Sequence, residues 1–590
     1  MTITAVHSRC RTAALVLTLA SFAPAQASTI TVNTVIDATA NDGTCTLREA
    51  ITAANTNIAS GGTAGECAAG QALPTVDTIA FAIPGGGVHT IGVLTPLPAI
   101  TQAVVIDGYT QSGSSVNNLA VGDNAVLHIQ IDGTAMAPPT ADLLDINSDG
   151  STLRGLVISH MAGTSVFVGA ASFSNNANTI AGNFFGTDPT GTVFAGGTQV
   201  VIRVAGATNV IGGASPAARN VIVGGGSSNA GAIMISGTSN VMQGNYVGLD
   251  SSGISALLPP TATNGLELGP GGGATGTVVG GKNPGEGNVI FGSNVGIRLS
   301  SNVQGTMIQG NYIGIDATGT RRLGGNVGIS TDNGPAGTII GGSEPGAGNV
   351  ISGNNTGISL TDGATGTTVK GNRIGTDASG TRPVSNHGNG IYILTQSLGS
   401  IIGGTNPGEG NTIAFNCGQG IGIPTGFALV GWAMLGNSIF SNAGLGISLF
   451  NNGNPIPNDD GDADTGPNNL QNHPVITAAP VAAGMVDLAG TLNSLPAKTY
   501  RVEFFSGLGC HPTGAGEGRH FLGARDLVTD VSGNASFGNG SAMFAIPNGH
   551  SVFTATATDP DGNTSEFSQC FGTPVLLFHS DFEDSCAGYD

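Results

Sequence analysis

Apolar residues recur along the middle of the chain in groups of two or three, separated by Gly, Asn, Ser and Thr. Residues 348–370 read "GNVI…GISL…TTVK", and residues 371–403 read "GNRI…GIYI…SIIG". Groups this short, punctuated by turn formers, predict strands of a few residues rather than helices. Each unit carries three such groups, for example Val350/Ile351, Ile358/Leu360 and Thr367/Val369. One unit alone has an apolar face and nothing to bury it against. Stacked units bury that face continuously. The pattern therefore predicts an all-β fold dominated by a parallel β-helix with three short strands per coil, spanning 101–455. A right-handed coil is expected, because β crossovers are almost always right-handed.

An asparagine marks each unit: Asn183, Asn220, Asn245, Asn288, Asn311, Asn349, Asn372, Asn411 and Asn437. Units near 23 residues alternate with longer ones, so insertions leave the cylinder at fixed places on alternate coils, about 10 Å apart. Asparagines one coil apart can bond into a side-chain ladder. Four of the insertions repeat one phrase: "GNFFGTDPTGT", "GNYVGLDSSGI", "GNYIGIDATGT" and "GNRIGTDASGT", with Asp188, Asp250, Asp316 and Asp377 in register. Asp at the first place of a turn and Gly at the fourth suit a capped β-turn. The other reading is a row of weak cation or ligand sites along one edge. Catalysis needs one asymmetric arrangement, so a feature copied four times speaks for architecture.

Both ends of the chain depart from the repeat. Residues 1–27 read as a signal peptide, with His7, Arg9 and Arg11 before an apolar run from Ala13 to Phe22 and a small-residue "AQA" site. Residues 28–100 form an N-terminal cap and first coils. There "CTLREA" (45–50) sets Thr46 and Glu49 as a capping box before a helical run of Leu47, Ala50, Ile51 and Ala54. Such a helix can plug the open first coil, pinned by a disulfide between Cys45 and Cys67. This segment resembles the secreted bacterial proteins that carry a CSLREA motif ahead of parallel β-helix repeats, with Thr46 in place of the family's Ser. The resemblance implies a secreted or surface β-helix and no particular reaction.

Residues 456–474 are a linker rich in Asp, Asn, Pro and Gly. Asp460, Asp462 and Asp464 alternate there, followed by Asn468. They are oxygen ligands of the kind Ca²⁺ takes, or else the surface of a solvated hinge. Residues 475–572 change to longer alternating strands, such as "TYRVEFFS" and "SVFTATATD". They predict a small antiparallel sandwich that resembles bacterial immunoglobulin-like domains, bridged by Cys510 and Cys570. Cys417 and Cys586 have no evident partners, and the tail 573–590 is unassigned.

Composition narrows function more than it names it. The chain has 590 residues with 98 Gly and a formal net charge of −20. That charge argues against nucleic acid or an anionic membrane as partner. An acidic polysaccharide stays open where a local basic groove or bound cations screen it. No run is long enough to span a bilayer. Candidate chemistry lies where the repeat varies. On the middle strands the outward stripe runs Arg203, Met234, Glu267, Arg298, Ser330, Ser359, Tyr392. Arg298 beside Glu267 is either a uronate-binding pair or an exposed ion pair worth little energy. The position after each marker Asn gives a second stripe: Phe184, Val221, Tyr246, Val289, Tyr312, Val350, Arg373. Its aromatics either stack on sugar rings or support the insertion loops. Lys370, Arg373, Asp377, Arg382 and His387 gather in one unit and hold the base and the cation a polysaccharide lyase would use. Two functions follow: a secreted surface protein for adhesion or glycan binding without catalysis, or a lyase or hydrolase acting on an acidic glycan at the helix face. A cleft with cations beside carboxylates would favour the second; flat ladders with paired charges would favour the first.

Overall fold

The computed structural model describes residues 27–572 and Cys586, apart from 170–175, 198–199, 226–230, 258, 260–262, 333, 362, 364, 395–398, 425–428, 539 and 541–542. The signal-peptide reading and most of the tail lie outside the described residues.

Three parallel sheets of 13, 12 and 11 strands form the walls of a β-helix. The strands of each coil visit the three sheets in turn, so coil n pairs only with coils n−1 and n+1. Apolar side chains line the interior in columns. In the first sheet the column includes Ile211, Met242, Val279, Ile308 and Ile340; in the second, Ile222, Val247, Ile290, Ile313 and Ile351. The last residue of each "GN[x]I" phrase therefore points inward, whereas Val350, one place before it, points outward beneath the loops with Ile315 and Val384.

The marker asparagines form an unbroken buried ladder. Each Nδ2 donates to the Oδ1 of the next, from Asn183 to Asn437. At Asn311 the preceding glycine is required. Gly310 has φ +66°, and a Cβ there would lie 2.0 Å from the carbonyl oxygen of Gly281. Two shorter ladders, Asn178–Asn209–Asn240 and Asn354–Asn386–Asn416–Asn442, turn other corners.

The first coil is sealed as the sequence predicts. The helix Leu47–Thr56 begins at a complete capping box of Thr46 and Glu49, and buries Leu47, Ala50, Ile51, Ala53 and Ala54 in the main core. Cys45 bonds Cys67 beside it.

The last coil is sealed by the C-terminal domain, which the sequence suggests only as a separate module. Its antiparallel sheets enclose a core of their own around Tyr500, Val502, Phe504 and Ala555, and Cys510 bonds Cys570. Phe505 and Phe567 leave that core and enter the end of the β-helix interior. The domain also takes up the orphan N–H groups of the last coil. Glu503 accepts Gly436 N–H at 2.8 Å, Glu517 accepts Ser441 N–H at 2.8 Å, and Glu566 accepts Leu449 and Ile456 N–H at 2.9 Å. Ile439 and Gly518 exchange main-chain bonds at 2.8 and 2.9 Å. An open sheet edge invites pairing with another chain, and here it is occupied. The 456–474 segment is correspondingly no hinge: Leu470 joins the main core, and Asn468 bonds Trp432 and Thr564. Cys417, on the β-helix, bonds Cys586. Three disulfides place the chain in an oxidising, non-cytoplasmic setting. No helix among the described residues is long and apolar enough to cross a membrane.

Candidate functional site

The repeated aspartates cap turns. Asp316 Oδ1 accepts the N–H groups of Thr320 and Arg321 at 3.0 and 3.1 Å, and Asp377 does the same for Thr381 and Arg382. Asp188 repeats it on Thr192 and Val193, and Ser255 N–H bonds Asp250. Those bonds hold Asp188 and Asp377 below the usual carboxylate range, although burial opposes them. The insertions do not stand apart. The N–H of Ser251 bonds Gly191, that of Ala317 bonds Gly253 and that of Ala378 bonds Gly319, all at 2.8 Å. Hairpins from alternate coils lean across the intervening rung and form one wall. A second wall comes from the "NPGEG" loops, where Gly285 packs on Ala214, Gly346 on Lys282 and Gly408 on Ser343.

Between these walls lies a cleft of about 420 Å³ over the second sheet. Its floor is the stripe after the marker asparagines, in direct register: Tyr246, Val289, Tyr312, Val350, Arg373. Tyr246 is 3% exposed and supports the structure above it, while Tyr312 and Arg373 are half-buried and open to the cleft. Arg219, Lys282 and Arg373 line it, and among the described residues no carboxylate does. Arg219 is committed: its guanidinium lies 4.5 Å over the Tyr246 ring and donates to the carbonyls of Leu119, Ala120, Gly122 and Gly244. Lys282 pairs with Glu344 at the exposed rim. Arg373 has no hydrogen bond or ion pair to its guanidinium among the described residues. Burial pushes both Tyr246 and Tyr312 up, with Arg219 and Arg373 respectively pulling the other way.

The other sequence candidates are separated from this cleft. Glu267 and Arg298 are register neighbours as expected. Each has a local partner: Glu267 takes the Ser300 hydroxyl at 2.8 Å, and Arg298 Nε meets Asp332 at 2.5 Å. Arg203 stacks 4.7 Å over Phe167. Lys370 pairs with Glu409 at 3.2 Å over the first sheet, around the corner from Arg373. His387 contacts Arg322; burial first, then that cation, lowers its pKa. The unit 370–387 thus supplies one charged residue, Arg373, to the cleft, along with Ala378. Sequence reading missed Lys282 and Arg219. The threefold NPGEG-type loop is the available signal for Lys282, and Arg219 is marked by standing where the other marker asparagines follow a glycine.

The acidic cluster also differs from expectation. Asp459, Asp462 and Asp464 bring carboxylate oxygens within 4.8 Å of one another and could hold a cation. Asp460 is exposed and outside the group, because the turn at Gly461 swings it to solvent, and Asn468 points to Trp432. Asp459 Oδ1 and Asp464 Oδ1 are enclosed without hydrogen-bond partners. Burial pushes Asp462 up to about 6, aided by the two neighbouring carboxylates and opposed by Ser494 and Asn472.

No protein-family model matches this chain, and no curated protein matches it. Among solved structures it is similar to the periplasmic alginate epimerase AlgG in a mutant form, at 13% identity over 59% of this chain and 74% of that one, with a TM-score of 0.23. It is also similar to the A-module of the Azotobacter vinelandii mannuronan C-5 epimerase AlgE6, at 12% identity over 63% of this chain and 89% of that one, with a TM-score of 0.29. Likeness at this level is one of fold.

Proposed function

We propose that the protein binds an anionic polysaccharide in the cleft over the second sheet and does not alter it. Arg373 carries this reading. In a chain with 37 acids and 17 bases, a half-buried guanidinium without a carboxylate partner stands at the floor of a cleft whose described charged lining residues are all cations. A uronate carboxylate matches its planar donor fork. Tyr312 offers a ring face to the sugar beside it. Against catalysis in the same cleft, burial pushes both lining tyrosines up, away from the range in which a general acid or base works, and no histidine or carboxylate stands among the described lining residues.

The test is calorimetry with polygalacturonate and alginate against neutral dextran, for the wild type and Arg373→Ala. Uronate polymers should bind and dextran should not. Loss of one charge-assisted contact, about 1.5–3 kcal/mol, should weaken binding roughly 10- to 100-fold. Equal affinity for dextran, or an unchanged Arg373→Ala, overturns the reading. New unsaturated or reducing ends in the same samples would replace it with the enzyme reading.

A further inference from the structure

The cleft has one closed end. Residues 114–126 leave an early coil and run along the outside of the stack as a strap. Ser115 and Val126 pair at its base, and its tip reaches across several coils. Gly122 N–H bonds the Tyr246 hydroxyl at 2.9 Å, and Asp123 N–H bonds Ser251 at 2.6 Å. Asn117 Nδ2 bonds Pro216, and the Arg219 guanidinium gathers the carbonyls of Leu119, Ala120 and Gly122. Ala120 and Val121 thereby become lining residues at the Tyr246 end.

Behind the strap the floor is filled. Val157, Phe184 and Val221 continue the stripe, but each is at most 1% exposed, packed with Leu127, Tyr109 and Ala125. In the other direction the floor continues past Arg373 to Thr412, which follows it in register and is partly exposed. On the next rung the C-terminal domain meets the stack, and the Ser438 hydroxyl donates to the Arg519 carbonyl at 2.6 Å. From Tyr246 to Thr412 is five strand spacings, about 24 Å. A chain lying along this floor can leave past Arg373 and cannot pass the strap.

We infer that the site holds the terminal segment of an anionic glycan rather than the interior of one. The inference rests on the binding reading above. The chain end abuts Ala120 and Val121, its outer sugars lie over Tyr312 and Arg373, and the rest of the polymer runs out over Thr412. Val121 is 51% exposed, so it presents an apolar wall without holding the core together.

Size-defined uronic acid oligomers, from tetramer to long polymer, decide the matter by calorimetry. A terminal site binds one protein per chain at every length, and its affinity per chain stops rising once the floor is covered. Val121→Asp, which sets a negative charge at the wall, should weaken all lengths by about tenfold. A count of bound proteins that grows with chain length, with Arg373→Ala still weakening binding about 10- to 100-fold, overturns the terminal inference and leaves the binding reading standing. An unaffected Val121→Asp does the same. Absence of binding to any uronate oligomer overturns both.

Discussion

The asparagine ladder yields a sharp prediction at Asn311→Ala. Asn311 is fully buried. Its Oδ1 accepts the main-chain N–H of Asn288 at 3.1 Å and the Asn288 Nδ2 at 2.9 Å. Its own Nδ2 donates to Val279, Gln309 and Asn349 at 2.9, 2.9 and 3.0 Å. Truncation strands two donors of Asn288 in a dry corner and leaves a gap. A stranded buried donor costs about 1–3 kcal/mol, so the expected loss is about 3–5 kcal/mol with the gap included. In a stacked repeat each coil couples to its neighbours, and a single unfolding free energy is poorly defined. Amide hydrogen exchange is therefore the assay. Exchange at the coils of Asn288 and Asn311 should quicken by about a hundredfold or more, fading along the stack, since about 1.4 kcal/mol is a factor of ten. Thr320→Ala, on the exposed hairpin of the same coil, should change exchange by little, within about 0.5 kcal/mol. If Asn311→Ala behaves like Thr320→Ala, the ladder is decoration and the apolar columns alone hold the coils in register.

Two further predictions concern the C-terminal end. Glu566 is 4% exposed and burial pushes it up to about 7, and Glu517 also reaches about 7. The folded state then holds protons that an unfolded chain has released, so stability should rise as pH falls from about 7 towards 4.5, by up to about 3 kcal/mol for Glu566. A melting temperature that rises from pH 8 to pH 5, and rises less in Glu566→Gln, is the expected outcome; a steady fall with no effect of the variant refutes it. At the acidic cluster we expect millimolar Ca²⁺ to raise the melting temperature at pH 7.5, because two enclosed carboxylate oxygens there lack partners. Asp462→Asn should abolish that rise, and a chelator should reverse it; a wild type indifferent to Ca²⁺ refutes it.

The fold is legible in the sequence because it is repetitive. A three-strand coil repeats one requirement many times, and the marker asparagines and inward isoleucines show it at each turn. The helical cap is legible for a different reason: the bonds of Thr46 and Glu49 are local, within three residues. The second and third ladders are legible too, in the N-x-[IM]-x-G phrases at Asn178, Asn209 and Asn240 and the N-x-G-x-G-I phrases at Asn386, Asn416 and Asn442, although each covers fewer coils than the first. The role of the C-terminal domain was missed because its contacts are long-range. Glu566 meets Leu449 across 117 residues and Glu503 meets Gly436 across 67, and no spacing rule links such positions. For the same reason Asp459 was passed over for Asp460: which carboxylates converge depends on how one glycine turn bends.

The candidate site follows from this division. Periodicity fixes the floor, so the stripe from Tyr246 to Arg373 could be written down in order. It cannot say which members of the stripe remain open, because that depends on what lies above them. Phe184 and Tyr312 occupy equivalent places, yet Phe184 is 1% exposed under Leu127 and Tyr109, while Tyr312 faces the cleft. The difference is made by the non-repeated stretch from Tyr109 to Leu127, which covers Phe184 and carries the strap, anchored about a hundred residues away through Arg219. A uniform cylinder offers a ligand many equal rungs and no reason to prefer one. The strap closes the floor behind Tyr246, and the unpaired Arg373 gives the open side its charge. On the proposed binding reading, selectivity rests on two departures from the repeat, and a variant that restores the repeat at either should lose it.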